Sequence, residues 1–291
     1  MCPRCRMVTQ PAPAATVRRA YARQLMLAAR IDDQRLEQAF AKVPREAFLG
    51  PGPWAIIRPP DGYETTPDAD PVRLYQDVLV GIIPEKGLNN GQPSFLALLI
   101  SLGRPREGDR VIHIGAGPGY YTAIIAEMVG RAGQVIAVEY EQELAIRAAA
   151  NLSPYASVRV IHGDGSAMTF EPSDIIYVNA GAVRPENVWL DALKDGGRLV
   201  LPLTARCITD AGHTMTMGAV FLIERQGQDY LAHWKSGAAI YPCMGTGDAV
   251  SEAALAKAFD KGGWENVTHL YRTDKTDDQQ CWVRGPGWSL A

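Results

Sequence analysis

The chain has 291 residues, 47% of them apolar and 21% charged, the make-up of a water-soluble globular protein with one large domain or two modest ones. A formal net charge of -3 gives no electrostatic reason for a nucleic-acid or anionic-membrane partner. No run approaches the roughly 18 apolar residues of a membrane span, so the expectation is no membrane and no nucleic acid.

The N-terminus lacks the ~7–15-residue apolar core of a signal peptide. Cys2, Cys5, Cys207, Cys243 and Cys281 are an odd and scattered set, which suits reduced thiols and a cytoplasmic location. Cys2 and Cys5 form a CxxC, but no second pair follows at zinc-ligand spacing, so no metal is expected. Residues 1–15, with a Pro/Ala-rich run, read as a flexible tail.

Residues 16–80 read as N-terminal helices and a loop. Val17, Tyr21, Leu25 and Ala28 recur at helical spacing over Thr16 to Arg30. Asp33 offers an N-cap to a short helix lined by Leu36, Phe40 and Val43, which Pro44 ends. Residues 51–75 are rich in Pro, Gly, Asp and Thr without periodicity, which predicts a long irregular loop of the kind that serves as a lid or substrate wall.

Residues 81–225 read as a Rossmann-like core. A helix opens near Pro93 with Phe95, Leu96, Leu98, Leu99 and Leu102 apolar. Strands follow at Val111–Ile114, Val135–Glu139, Val158–His162 and Asp174–Asn179, alternating with helices at Tyr120–Val129, Glu141–Leu152 and Pro185–Leu193. After Gly196-Gly197 a further strand runs from Arg198 to Leu203. Such alternation implies an α/β fold, a mostly parallel sheet with helices on both faces. Residues 226–291 read as C-terminal strands and an extension packed on the core, with Trp264, Trp282 and Trp288.

Three features mark a cofactor site at consecutive strand ends. The first strand runs into Gly115-Ala116-Gly117-Pro118-Gly119 and a helix that opens with Tyr120. A dinucleotide fingerprint would place its third glycine at 120, so this spacing points to a cofactor without a pyrophosphate. Glu139 ends the second strand, followed by Tyr140, where an acid can bind ribose hydroxyls. Gly163-Asp164-Gly165 follows the third strand, where the carboxylate can accept from an adenine amino group.

From Val17 to Gly245 the chain resembles the protein-L-isoaspartate O-methyltransferase family. The matching pieces are Val43-Pro44-Arg45-Glu46-Ala47-Phe48, Tyr75-Gln76-Asp77, Gly91-Gln92-Pro93, the glycine turn, Glu139, Gly163-Asp164-Gly165 and Gly196-Gly197-Arg198-Leu199-Val200-Leu201-Pro202. The resemblance implies a Rossmann-like methyltransferase with a helical N-terminal cap. It also implies S-adenosyl-L-methionine held by Gln92, Gly115, Ala116, Gly117, Gly119, Tyr120, Glu139, Tyr140, Asp164 and Gly165. The activity implied is repair of damaged proteins by methylating isoaspartyl carboxylates.

Two departures bear on the acceptor. The family has Thr-Ile-Ser where this chain has Asn89-Asn90-Gly91, so the hydroxyl regarded as catalytic is absent at Gly91. Asn89 and Asn90 can donate to an acceptor carboxylate or can simply make a turn. Near the end Tyr241-Pro242-Cys243-Met244 stands where the family commonly has Val-Pro-Leu. Three readings stay open: a carboxyl methyltransferase acting on a protein or peptide, a paralogue methylating a small molecule or modified peptide, and a cofactor-binding protein without catalysis.

Overall fold

The structure, a computed structural model, describes residues 14–58, 62–208, 214–275 and 281–291; Cys2 and Cys5 lie outside them. Helices α1 (Ala14–Ala29), α2 (Gln34–Lys42) and α3 (Glu46–Leu49) come first. The Asp33 carboxylate caps α2 by accepting from the backbone N–H of Arg35 at 2.9 Å and of Leu36 at 3.0 Å. This satisfies donors that helix geometry leaves orphaned.

The segment expected to be irregular over 51–75 instead contains a hairpin, β1 (Ala55–Arg58) with β2 (Gly62–Thr65), and a 3₁₀ turn at Pro71–Leu74. Four-residue strands flanked by Pro and Gly are too short for alternation to register in the sequence. Trp54, Ile56, Leu74 and Val80 bury a small core of their own beneath it. A second hairpin, β3 (Gly81–Ile83) with β4 (Leu88–Asn89), leads into α4 (Pro93–Gly103).

The core then alternates β5 (Arg110–Ile114), α5 (Tyr120–Val129), β6 (Gln134–Glu139), α6 (Gln142–Asn151), β7 (Val158–His162), β8 (Ser173–Val178) and α7 (Asn187–Ala192). Strands β9 (Leu193–Ile208), β10 (Thr214–Gln226) and β11 (Asp229–Gly237) follow, then α8 (Ala249–Lys261), β12 (His269–Tyr271), β13 (Val283–Gly285) and β14 (Trp288–Leu290). The strand expected to begin at Arg198 begins at Leu193, and α7 ends before it. Gly196, at φ 74°, lets the chain bulge inside β9, and the pairing with β8 shifts register there.

One sheet of ten strands runs in the order β7-β6-β5-β8-β9-β10-β11-β12-β14-β13. Strands β7 to β9 in that order are parallel, and the rest are antiparallel. Period-two alternation divides the core. Val111, Ile175, Tyr177, Val200 and Val220 pack against α1, α2, α4 and α5 on one face. Ile112, Ile176, Leu199, Leu201 and Phe221 face Trp189, Leu255 and Phe259 on the other. On that second face Trp282 lies against Phe221 and Phe259, with ring centroids 5.6 Å apart in each pair.

Inside β5, His113 is fully buried, its Nδ1 2.9 Å from Thr122 Oγ1 and its ring 4.9 Å from that of Tyr177. Burial pushes its pKa from 6.5 down to about 3. An unfolded chain binds a proton at this imidazole near pH 6.5, and the folded one only near 3. Protons therefore favour the unfolded state between those values, and this stabilisation is present above the window and lost as pH falls through it. Urea unfolding across that range should show the wild type losing stability relative to His113→Gln; parallel curves would refute the assignment.

Candidate functional site

Parallel strands leave a crevice beyond their C-terminal ends where the strand order reverses. Here the reversal lies between β5 and β8. The turn after β5 and Asn179 after β8 line a cavity there, together with the ends of β6 and β7. Its floor is Gly115, Ala116, Gly117 and Glu139, and its roof is Ile82, Leu88, Asn89 and Asn90 from the second hairpin. Tyr241 to Met244 close the side.

Glu139 is buried, and each carboxylate oxygen is anchored by backbone. Oε2 accepts from the Gly117 N–H at 2.6 Å, and Oε1 from the Glu141 N–H at 2.9 Å. Burial raises its pKa above the usual carboxylate value, opposed by those N–H groups and that of Tyr140. Tyr140 and Glu141 lie on the rim, where Lys86 pairs with Glu141 at 2.8 Å and ties the roof hairpin to the floor. Gly163 and Gly165 line the cavity, and the Trp189 indole N–H holds the Gly165 carbonyl at 2.8 Å. Between them the Asp164 carboxylate accepts from Ser166 N–H at 2.9 Å and Oγ at 2.6 Å. Gly245 passes over it so closely that a Cβ there would lie 2.2 Å from Oδ2.

Four residues named from the sequence do not line the cavity: Asp164, whose carboxylate is turned to Ser166, and Tyr120, Gly119 and Gln92. Tyr120 is fully buried in the core, its ring 5.7 Å from Phe48 and 6.2 Å from Phe40; Tyr121 is the tyrosine that reaches the cavity. Gly119 lies behind the turn, against Leu152. Gln92 donates to Asp77 at 3.0 Å and lines a neighbouring groove instead. Ser94 also gives its hydroxyl to Asp77, at 2.6 Å.

The two asparagines do different work. Asn89 Oδ1 accepts from the Gly91 N–H at 2.8 Å, a side-chain turn that shapes the loop. Asn90 is 5% exposed, and its Nδ2 is buried with no partner among the described residues, although the side chain lines the cavity. A neighbouring groove, with Leu79, Phe95, Leu96, Thr216 and Ile240, shares Asn89, Asn179 and Tyr241 with the cavity. No lysine, arginine or histidine lines either space among the described residues.

Cys243 belongs to the wall. Burial, then the charges of Asp164 and Glu186, push its thiol up to about 12, so it stays protonated at neutral pH and is no nucleophile. The sequence marked the wall segment only as a departure, Tyr241-Pro242-Cys243-Met244 standing where the resemblance leads one to expect Val-Pro-Leu. Asn179 could be found from its position at a strand end.

Comparison with known proteins gives consistent likenesses. The model of the protein-L-isoaspartate(D-aspartate) O-methyltransferase family matches residues 18–213. The chain is 36% identical over 174 residues to protein-L-isoaspartate O-methyltransferase 2 of Archaeoglobus fulgidus, covering 58% of this chain and 71% of that one. It is 32% identical over 267 residues to the Methanoregula boonei protein-L-isoaspartate O-methyltransferase, covering 89% of this chain and all of the relative. A match that wide reaches into α8, so the C-terminal segment is not wholly foreign to that relative. A solved protein-L-isoaspartate O-methyltransferase structure superposes with a TM-score of 0.64 over 89% of this chain and 74% of its own, at 22% identity.

At Gly91, where the resemblance implies a hydroxyl residue, the backbone and packing favour glycine. Its φ is 68°, and a Cβ there would stand 2.8 Å from Leu96 Cδ2. Left-handed backbone costs a non-glycine residue about 1–3 kcal/mol. Gly91→Ser should therefore lower stability by about 1–3 kcal/mol without raising activity. Thermal unfolding and a methyl-transfer assay check this; a stable, faster Gly91→Ser would refute it.

Proposed function

The chain belongs to the protein-L-isoaspartate O-methyltransferase family, and on that premise we propose that it methylates the side-chain carboxylate of isoaspartyl residues in damaged proteins. The observation that carries the reading is the Asn90 amide, buried without a partner in the wall of the cavity, beside the groove that Asn89 shares. An unpaired buried donor costs about 1–3 kcal/mol, and an acceptor carboxylate would satisfy it.

S-adenosyl-L-methionine, when bound, supplies a methyl group on a sulfonium. The donor set fits it. The Glu139 carboxylate is held by the backbone N–H groups of Gly117, Glu141 and Tyr140, and with about four lone-pair sites it keeps capacity for a ribose hydroxyl. Gly163 and Gly165 offer a narrow face for a planar base, beside the Asp164 carboxylate. Tyr121 and the roof hairpin line the space together with Gly117. The acceptor would enter by the neighbouring groove, which meets the cavity at Asn89, Asn179 and Tyr241. It is already ionised, since its ordinary pKa is about 4, so the chain need supply no general base. Such an acceptor is a protein or peptide rather than nucleic acid. The unbridged thiols of Cys207 and Cys243 fit a reducing cytoplasm.

The test is labelled methyl transfer to an isoaspartyl peptide with its aspartyl twin as control. Transfer to the isoaspartyl form alone is expected; no transfer with cofactor binding intact would refute the acceptor. Asn90→Ala should cut kcat/KM by about ten- to a hundredfold, the loss of a hydrogen bond to a charged group, and leave cofactor affinity unchanged. Glu139→Gln should do the reverse, weakening cofactor binding by about 1–3 kcal/mol in a direct titration. Unaltered affinity in that variant would remove Glu139 from the site.

A further inference from the structure

The end of the sheet opposite the methyl-transfer cavity carries a cleft of about 220 Å³ between the end of α4, the start of β9 and the end of β10. Arg104, Arg106, Arg198 and Arg225 line it, with Glu224 as the single acidic residue among the described ones. In a chain of net charge -3 this is a local reversal of sign.

The internal pairings do not use up these cations. Arg104 pairs with Glu224. Arg225 donates to the carbonyls of Leu193 at 2.7 Å and Gly227 at 3.0 Å. Arg198 makes one long bond, 3.4 Å, to the Arg104 carbonyl, and its Nε is buried with no partner among the described residues. The Arg106 guanidinium has neither a hydrogen bond nor an ion pair among them. Asp109, the next carboxylate, accepts from Arg106's own backbone N–H at 2.8 Å.

The cleft gathers four like charges around one carboxylate. Burial first, then Arg104 and Arg106, pull the Arg198 guanidinium below its ordinary pKa, against Asp109 and Glu224. Arginine does not release its proton in proteins, so an anion is what relieves the repulsion. Arg104 itself caps α4 at φ 51°, left-handed backbone where glycine would be unstrained.

We propose that this cleft is an oxyanion site that takes a phosphate group, either as the free ion or on a small phosphomonoester. Guanidinium forks match phosphate oxygens with paired N–H groups. A phosphate presents enough oxygens to serve Arg106 and Arg198 at once, where the two oxygens of a carboxylate serve one fork. The cleft would hold several waters at ~30 Å³ each, so a substituent on the phosphate also has room.

The experiment follows the arginine Nε–H resonances of the full chain during titration with sodium phosphate, phenyl phosphate or succinate, against sodium chloride at matched ionic strength. A saturable shift of the Arg198 signal with sodium phosphate, and none with chloride, is expected. Phenyl phosphate binding as well extends the site to phosphomonoesters. Arg106→Gln, an exposed change, should weaken phosphate binding at least fivefold while leaving the thermal midpoint and methyl transfer unchanged, and Arg198→Gln should abolish saturation. The same unsaturable drift in phosphate and chloride, saturation by succinate alone, or full affinity in Arg106→Gln would each overturn the proposal.

Discussion

Arg45 is fully buried, and its guanidinium forms no ion pair among the described residues. Its N–H groups go instead to the carbonyls of Leu74 at 2.7 Å, Gln76 at 3.2 Å and Val78 at 2.9 Å. A planar fork with five donors can gather alternate carbonyls of an irregular strand, which a lysine could not. Taking a charge out of water costs several kcal/mol, so a site that keeps one depends on what it holds. What it holds is the segment carrying Asp77. That carboxylate accepts from the Ser94 N–H at 2.8 Å and from Gln92, which caps the start of α4 from outside. The next stretch reaches the loop of Asn89, Asn90 and Gly91 directly, because the Val80 carbonyl accepts from the Asn90 N–H at 2.8 Å. The orientation of the Asn90 amide thus rests, through two short links, on one buried cation.

The opposite wall is fixed by the C-terminal elements. Gly181 donates to the Tyr241 carbonyl at 2.7 Å, and Cys243 donates back to Gly181 at 2.8 Å, so the wall pairs like a strand with the chain after β8. Asp248 then caps α8, and Arg184 joins it at 3.6 Å to Glu186, which it grips with two bonds of 2.9 Å. Exposed ion pairs contribute little, but the Glu186 side chain is only 8% exposed. The Trp288 indole donates to Ser251 from the last strand, which ties α8 to the end of the chain. The extension therefore sets the position of a cavity wall while adding strands to the sheet.

What the sequence made legible follows from the range of the forces involved. The α/β fold was readable because strand and helix periods are local. The glycine turn and Glu139 were readable because strand ends converge wherever a parallel sheet reverses. The choice between Tyr120 and Tyr121 was not. Nearly every residue of α5 is buried, so no amphipathic pattern says which side of the helix faces the cavity. Gln92 sits one residue from the acceptor loop, yet it turns to Asp77, a partner 15 positions away that only packing reveals. The hairpin at 55–65 and the wall at 241–244 take their form from distant contacts.

Among the described residues no cation lines the methyl-transfer cavity or its groove, and this has a physical logic. Displacement by a carboxylate on a sulfonium joins opposite charges, and both fade as the bond forms. A lysine or arginine on the carboxylate would be strongest before reaction and weaker at the transition state. It would deepen the ground state without speeding the step. Neutral amides orient the nucleophile and lose less as its charge disperses. This also bears on the hydroxyl missing at Gly91, since a hydroxyl too is a neutral donor. The space beside Gly91 is filled by Leu96, and the adjacent residue supplies an amide donor in the same wall. On the proposed reading, moving the donor from one residue to its neighbour changes the angle at which an acceptor is held while keeping the neutral character that the chemistry rewards.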